Sequence, residues 1–176
     1  MIRRRHLLGA AAPLLAAPAV ARAQAAITLR VQHFLTTASP VHRALEKMAA
    51  DLKAATGGRV TMNVLPGGAV VGATETLDAV RNGILDGHYS APSWFAAKDP
   101  GFVLLGDTGA AFDRVSDRDG WFGPQGGATD LARALYDRFG AYYVGQSYWP
   151  GEHIPARRAL RGADDLRGLK IRCPQA

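Results

Sequence analysis

Residues 27–68 read ITLRVQHFLTTASPVHRALEKMAADLKAATGGRVTMNVLPGG, and their hydrophobic period changes twice along the way. Apolar and polar residues alternate over Ile27–Val31 and again over Val60–Val64, which predicts two half-buried strands. Between them, Ser39–Pro40 is typical of a helix start, with serine as the N-cap and proline in the first turn. The apolar face of this helix is predicted to be Val41, Leu45, Met48, Ala49 and Leu52. With Gly57–Gly58 ending the helix, the stretch predicts a strand–helix–strand unit.

The rest of the chain continues to alternate between the two periods. The predicted segments are, in order, a helix over 74–83, a strand over 84–89, a partly helical stretch over 93–105, a glycine-rich loop over 120–127, a helix over 131–139, and strands over 142–148 and 170–173. Strands that alternate with helices indicate an α/β fold, in which a largely parallel sheet is flanked by helices.

Ligand crevices of such sheets lie at the carboxyl ends of the strands. The residues that directly follow each predicted strand are therefore candidate ligand-binding positions. They are His33 and Phe34, residues 66–68, residues 90–94 and residues 149–153.

The N-terminus has the features of an export signal. Residues 1–5 carry three arginines, residues 7–20 form a mildly apolar run, and Ala21-Arg22-Ala23 is a small-x-small cleavage site, so residues 1–23 are predicted to be removed. A cut two residues later is the alternative. Arg4-Arg5 favours the twin-arginine route over ordinary secretion. Because the apolar run is shorter than the roughly 20 residues of a membrane-spanning helix, we expect a soluble periplasmic protein with no stable membrane insertion.

The charge argues against a nucleic-acid partner, and the cysteine content rules out two kinds of site. The formal net charge is +6, but residues 1–23 hold four arginines and no acidic residue, so residues 24–176 carry only about +2. This small charge does not favour nucleic acid as a partner. The single cysteine, Cys173, excludes an internal disulfide and a zinc site built of cysteines.

No enzyme motif is visible. The sequence lacks the G-x-S-x-G, phosphate-loop and H-E-x-x-H patterns, and we therefore predict no catalytic residues and no cofactor. The histidines His33, His42, His88 and His153 form no close pair on one predicted element, so a metal site is not predicted either. His42 is expected to lie on the outer, solvated side of its helix.

Aromatic residues and one arginine stand out near the strand ends. Trp94 and Trp149 are candidate walls of a ligand cleft, with core packing as the alternative. Arg172 lies in a predicted strand, where a guanidinium is costly to bury unless an anion meets it. The residues alone leave two partners open: a protein carboxylate at a sheet edge, or a ligand carboxylate held by two parallel hydrogen bonds.

The chain resembles the periplasmic solute-binding proteins of tripartite ATP-independent periplasmic (TRAP) transporters. The resemblance rests on SPVHRALEKMAADLKAATGGRVTMNVLPGG, ETLDAVRNGILDG and, most specifically, DDLRGLKIRCP, and it covers residues 24–176. The segment APSWFAAKDPGFVLL is similar to the branch that binds 2-oxo acids and related organic acids.

This resemblance implies a two-lobed receptor that closes on a small carboxylate, docks on integral-membrane permease subunits and has no catalytic activity. It also implies that Arg172 pairs with the substrate carboxylate. The expected substrate-binding residues are Arg172, Trp94, Trp149, Glu152, Glu75 and His33.

Two features depart from the family pattern. Where many members place a second arginine or a glutamine, this chain has Glu152, which would repel a carboxylate unless it is protonated, bound to a metal or turned away. Members also continue well past the last predicted strand. Residues 24–176 are therefore interpreted as the N-terminal lobe and first crossing strands of a truncated receptor that lacks most of its second lobe and binds poorly on its own.

Two other functions remain as alternatives. A solute-binding protein of an ATP-driven importer shares the two-lobed design but not the DLRGLKIR strand. A periplasmic hydrolase or metal-dependent enzyme would need a nucleophile–base pair or a cluster of metal ligands, and the sequence shows neither.

Overall fold

The structure is a computed structural model that describes residues 25–106, 112, 114–147 and 156–171. Its strands are β1 (Ile27–His33), β2 (Val60–Leu65) and β3 (Gly87–Tyr89). Its α-helices are α1 (Pro40–Ala55), α2 (Thr76–Arg81), α3 (Gly101–Gly106), α4 (Val115–Phe122) and α5 (Ala128–Asp137). Short 3-10 turns cover Ala73–Glu75, Pro92–Phe95 and Ala163–Leu166. Within these ranges, none of the helices has both the length and the apolar character needed to cross a bilayer.

The three strands form a parallel sheet with β1 in the middle, in the order β2-β1-β3. β1 and β2 pair from Ile27 opposite Val60 to Gln32 opposite Leu65. β1 and β3 pair over the last residues of β1, where His33 lies opposite Tyr89. The predicted α/β fold with a parallel sheet is therefore confirmed, and the carboxyl ends of all three strands meet at one edge.

Helix α1 begins as the sequence predicts, and the face that it buries differs from the prediction at Met48 and His42. The Ser39 hydroxyl accepts a hydrogen bond from the His42 backbone N–H at 3.1 Å, which caps the helix. Leu45 is buried as expected, whereas Met48 is 49% exposed. His42, expected to be solvated, is 9% exposed, so that prediction is wrong. The reason is a buried hydrogen bond to His33, which periodicity of apolar residues does not reveal.

The sheet separates two layers of helices. Successive residues of a strand point to opposite faces, and residues paired across parallel strands point to the same face. His33 contacts His42 on α1, so α1 covers one face. His88, on the opposite face, lies 5.4 Å from the Phe95 ring and 6.4 Å from the Tyr136 ring, measured between centroids. These rings belong to the second layer.

The main hydrophobic core lies in this second layer. Phe102 is fully buried and its ring packs edge-on against Phe95 and Tyr136, at centroid distances of 5.6 and 5.1 Å. The buried members of the core are Leu77, Phe95, Phe102, Leu105, Phe122, Ala128, Ala132 and Tyr136. Because these residues come from α2 to α5 and the turn Pro92–Phe95, the core fixes the position of the segment that follows β3.

The third strand is shorter than predicted. Residues 84–86 do not belong to it. The backbone N–H groups of Ile84 and Leu85 both donate to the Ala79 carbonyl at the end of α2, and only from Asp86, whose N–H donates to the Arg30 carbonyl, does the backbone reach β1. Gly83 precedes them with φ of 69°, a left-handed conformation that glycine adopts without strain. The helix end therefore takes the amides that a longer strand would need.

Two predicted strands and one predicted loop are corrected. Residues 142–147 form no strand of the sheet; Tyr143 packs against the core, while Tyr142 and Val144 are exposed. Lys170 and Ile171 are unpaired as well, and residues 148, 172 and 173 lie outside the described residues. Helix α4 includes residues 120–122, which were predicted to be loop. Alternation of apolar and polar residues indicates that one side of a segment is buried. A segment can bury one side against the core without pairing with a neighbouring strand, as residues 142–147 do.

Candidate functional site

The loops after β1 and β2 are in backbone contact at the carboxyl edge of the sheet. The Gly67 N–H donates to the Leu35 carbonyl at 2.8 Å. A Cβ at Gly67 would lie 2.6 Å from the Phe34 carbonyl oxygen, closer than such atoms approach. Residue 67 must therefore be glycine for the two loops to meet. We call residues 33–35, 66–72 and 89–94 the strand-end surface.

We expect Gly67→Ala to destabilise the fold by about 1–3 kcal/mol, because the new methyl forces one of the two backbones to move. Gly162→Ala is the matched control, since a Cβ there meets nothing within 4 Å. Urea denaturation followed by circular dichroism measures both free energies of unfolding. Equal stability of the two variants would contradict the close approach of the loops.

Gln32 holds the loop after β2 (residues 66–72) from inside the protein. Its side chain is fully buried, with Oε1 accepting from the Val70 N–H at 2.9 Å and from the Val71 N–H at 3.3 Å. Its Nε2 donates to the Val71 carbonyl at 2.8 Å. One amide thus makes three hydrogen bonds to the loop. The sequence gives no sign of this role beyond a polar residue at the end of a strand.

His33, a predicted substrate-binding residue, is fully buried. Its Nε2 lies 2.8 Å from His42 Nδ1, and its Nδ1 accepts from the Leu35 N–H at 3.0 Å. Both ring nitrogens therefore have partners within the protein. His33 contributes to the strand-end surface by fixing the turn at residues 33–35.

Three aromatic rings meet on the strand-end surface. Phe34 stacks on Tyr89 with centroids 5.9 Å apart, and it contacts Trp94 edge-on at 4.8 Å. The Tyr89 hydroxyl is hydrogen-bonded to Ser147. We call Phe34, Tyr89 and Trp94 the aromatic cluster. Trp94 was predicted as a cleft wall, and the structure places it, partly buried, in contact with Phe34 from the end of β1.

Glu75, another predicted site residue, lies at the end of the loop that follows β2. Its carboxylate accepts from the Gly72 N–H at 2.9 Å and so closes the turn Ala73–Glu75. The side chain is exposed. The remaining predicted site residues, Trp149, Glu152 and Arg172, lie outside the described residues. Among all residues that the structure describes, no group of three or more His, Cys, Asp or Glu side chains could hold a metal ion.

His88 is a partly buried titratable group that faces the core. The Thr76 hydroxyl donates to the Ala73 carbonyl at 3.0 Å, so His88 Nδ1–H donates to that hydroxyl at 2.8 Å. Burial lowers the pKa of His88 to about 4, because an imidazolium ion cannot be solvated there. The sequence singles out His88 only as one of four scattered histidines.

We expect acid to destabilise the protein through His88. Its pKa is about 4 when folded and 6.5 when exposed, so the unfolded state binds more protons below pH 6.5. Stability therefore falls as the pH drops from about 6.5 towards 4, by about 2 kcal/mol at pH 5. His88→Asn keeps a donor near Nδ1 without a titrating ring and should flatten the profile. Urea denaturation at several pH values measures it, and an unchanged slope in the variant would contradict the assignment.

Comparison with known proteins gives a family. Residues 31–176 match the model of the family described as "bacterial extracellular solute-binding protein, family 7" (DctP). This match includes the whole strand-end surface.

Solved structures of similar fold come from several bacteria. A TRAP periplasmic solute-binding protein of Rhodobacter sphaeroides, in an open form without ligand, is 29% identical with a TM-score of 0.60 over 64% of this chain and 36% of its own. A Bordetella pertussis extracytoplasmic solute receptor that binds pyroglutamic acid is 19% identical with a TM-score of 0.72, covering 81% of this chain and 46% of its own. A TRAP periplasmic solute-binding protein of Colwellia psychrerythraea with bound calcium and pyruvate is 22% identical with a TM-score of 0.58, covering 65% of this chain and 35% of its own.

The chain thus spans between 35% and 46% of the length of these three proteins. The likeness of the latter two shows the fold alone, a lobe of the TRAP receptor type. Proteins of this family are periplasmic solute-binding receptors and not enzymes. Because the family model matches most of the sequence, this chain belongs to family 7 of the bacterial extracellular solute-binding proteins.

Proposed function

We propose that the chain is the solute-binding component of a TRAP-type transporter and captures a small organic carboxylate in the periplasm. The observation that carries the proposal is the aromatic cluster at the carboxyl edge of the parallel sheet, in a chain whose family binds solutes. This edge is where α/β folds place their ligands. The Rhodobacter protein, a TRAP periplasmic solute-binding protein, supports this transporter class over an ATP-driven importer.

The aromatic cluster supplies the apolar wall of the proposed cleft. Rings exclude water from one side of a bound ligand, so a charge-assisted hydrogen bond from the other side becomes stronger in the lower local dielectric. Phe34 is fixed by two partners, Tyr89 and Trp94, and by the backbone contact of its own loop with Gly67. A wall held in this way loses little conformational entropy when a ligand binds.

Arg172 supplies the proposed anion contact. A guanidinium can donate two parallel hydrogen bonds to one carboxylate, which fixes both the position and the orientation of the ligand. Trp149 and Glu152 are proposed to lie beside it. With Glu152 nearby, a ligand that also carries a hydrogen-bond donor, such as a hydroxyl or amide N–H, is favoured over a bare 2-oxo acid.

Delivery to a membrane permease completes the proposed function. Residues 1–23 would direct export, by the twin-arginine route in this proposal, and the loaded receptor would dock on integral-membrane subunits. No step of this function needs a bond to be made or broken.

A calorimetric screen tests the proposal. The protein expressed from its complete gene is titrated with pyruvate, pyroglutamate and lactate, each beside its uncharged amide or ester. We expect at least one acid to bind with a Kd in the micromolar range or tighter, and its uncharged analogue to bind at least about 30-fold more weakly. Equal binding of acid and analogue, or turnover of any of them, would exclude a carboxylate receptor.

A further inference from the structure

His33 and His42 form a buried imidazole pair beneath the strand-end surface. The two rings lie 5.1 Å apart between centroids, and the Nε2 of His33 is 2.8 Å from the Nδ1 of His42. His33 is fully buried and His42 is 9% exposed. This close pair joins the end of β1 to the first turn of α1, and none of the ligand contacts proposed above uses it.

The surrounding hydrogen bonds fix where the protons lie in the neutral pair. Because the Leu35 N–H donates to Nδ1 of His33, that nitrogen carries no hydrogen. The hydrogen of neutral His33 is therefore on Nε2 and is donated to Nδ1 of His42. His42 then carries its own hydrogen on Nε2, 3.5 Å from the Glu46 carboxylate. Every nitrogen of the neutral pair has a suitable partner.

One added proton breaks this arrangement wherever it binds. If it binds His33 at Nδ1, it faces the Leu35 N–H, which is also a donor. If it binds His42 at Nδ1, it faces the His33 N–H; should His33 move its hydrogen to Nδ1 in response, the Leu35 bond is lost instead. Each singly protonated state therefore loses either the bond between the histidines or the bond to Leu35.

The groups that face the pair do not offset this loss. On α1, Glu46 attracts a charge on His42, but its side chain is 59% exposed and therefore screened. β2 has no titratable residue, and on β3 the Tyr89 side chain shares the face of His33 with its hydroxyl bound to Ser147. The pKa of His33 is lowered, mainly because the ring is buried and to a smaller extent because a charge on His42 would repel a charge on His33. The surroundings of His33 thus favour its neutral form.

The bond at risk holds part of the strand-end surface. Leu35 both donates to His33 and accepts from the Gly67 N–H at 2.8 Å. Phe34, between His33 and Leu35, belongs to the aromatic cluster. Losing the bond from Leu35 frees the backbone on one side of Phe34. We propose that the His33–His42 pair is a proton-sensitive latch, which holds residues 33–35 in place when neutral and releases them when it takes up one proton.

The latch needs no ligand, so it can be tested apart from the proposed function. Nitrogen-15 NMR of the full chain between about pH 8 and pH 5 reports the ring nitrogens and the backbone amides together. At high pH, His33 should show an unprotonated Nδ1 and a protonated Nε2. On acidification, the amides of Leu35 and Gly67 and the Trp94 indole should change together, with a midpoint below about 6.5. Amides of α5 should not follow this midpoint.

Two variants assign the transition. His42→Gln offers an amide oxygen to His33 but cannot take up a proton, and the midpoint at Leu35 should move by about half a pH unit or more. His88→Asn removes the other buried histidine and should leave the midpoint unchanged. A Leu35 amide that does not titrate in the wild type, a protonated Nδ1 of His33 at high pH, or a midpoint that moves only in His88→Asn would each overturn the latch.

Carboxylate binding measured at about pH 8, where the latch is closed, separates the two proposals. Absence of binding at that pH contradicts the proposed function and leaves the loop transition standing. Binding without a loop transition contradicts the latch alone. When both are observed, we expect the affinity for the carboxylate to fall at least about threefold once the pH passes below the Leu35 midpoint, and less in His42→Gln.

Discussion

Arg172→Ala is expected to weaken carboxylate binding by about 2–5 kcal/mol, which corresponds to roughly 30-fold to several-thousand-fold in Kd. Alanine removes both hydrogen bonds of the guanidinium and leaves the ligand carboxylate desolvated without a counter-charge. Most of the loss comes from that uncompensated charge. Isothermal titration calorimetry of the protein from its complete gene, with the acid found in the screen, measures it.

Two control variants separate the geometry of Arg172 from its charge. Arg172→Lys keeps the positive charge but cannot form two parallel hydrogen bonds, so its affinity should fall between those of wild type and Arg172→Ala. Arg167→Ala removes an exposed arginine five residues earlier, whose partner is the exposed Asp164, and should leave binding unchanged. Equal losses in Arg167→Ala and Arg172→Ala would indicate a general effect of charge and would contradict a specific clamp.

The uncharged analogue of the ligand completes a double-mutant cycle. Arg172→Ala should reduce binding of the acid strongly and binding of its amide little, since the amide offers no charge to the guanidinium. The difference between the two losses is the coupling between Arg172 and the carboxylate. A coupling near zero would mean that Arg172 acts on stability or on another part of the ligand.

The strand–helix–strand unit was predictable because local signals agree there. Alternation over residues 27–31, the cap at Ser39 and the glycines after α1 all favour the elements that the structure has. The start of β3 could not be predicted in this way, although its end at Tyr89 was. The start depends on the Ala79 carbonyl, which accepts from two backbone N–H groups that a longer strand would offer to a neighbour.

The position of the candidate site at the strand ends was predictable, but the tertiary contacts of its residues were not. The rule that ligands lie at strand ends selected Phe34 and Trp94, which the structure brings into contact. His33 was selected as well, but its buried bond to His42 depends on α1 folding back over β1, a tertiary contact with no periodic signal. Arg172, Trp149 and Glu152 stay predictions.

The end of β1 places two polar side chains on opposite faces of the sheet. Gln32 points to the loop after β2, and His33, the next residue, points to α1. Both are fully buried, where a polar side chain is costly unless its hydrogen bonds are satisfied. Their hydrogen bonds fix two loops of the strand-end surface from below. A surface that must keep its shape without a ligand is better served by directional bonds than by apolar contacts, which are non-directional.

Gln32→Met should therefore cost about 3–4 kcal/mol of folding free energy. Methionine has nearly the volume and length of glutamine, so the core stays filled while the N–H groups of Val70 and Val71 and the Val71 carbonyl lose their partner. Urea denaturation at pH 8 measures the loss without interference from the histidines. Asn63→Met, at an exposed position of β2, is the matched control and should stay within about 0.5 kcal/mol of wild type.

A second readout shows whether Gln32 acts on the loop in particular. In Gln32→Met, hydrogen exchange at Val70 and Val71 should accelerate at least about tenfold more than exchange at amides of α5, because the loop opens locally before the fold does. Exchange that accelerates equally everywhere would show that the amide stabilises the fold as a whole. If neither stability nor local exchange changes, the three hydrogen bonds of Gln32 contribute nothing that water cannot replace, which would contradict its role in holding the loop after β2.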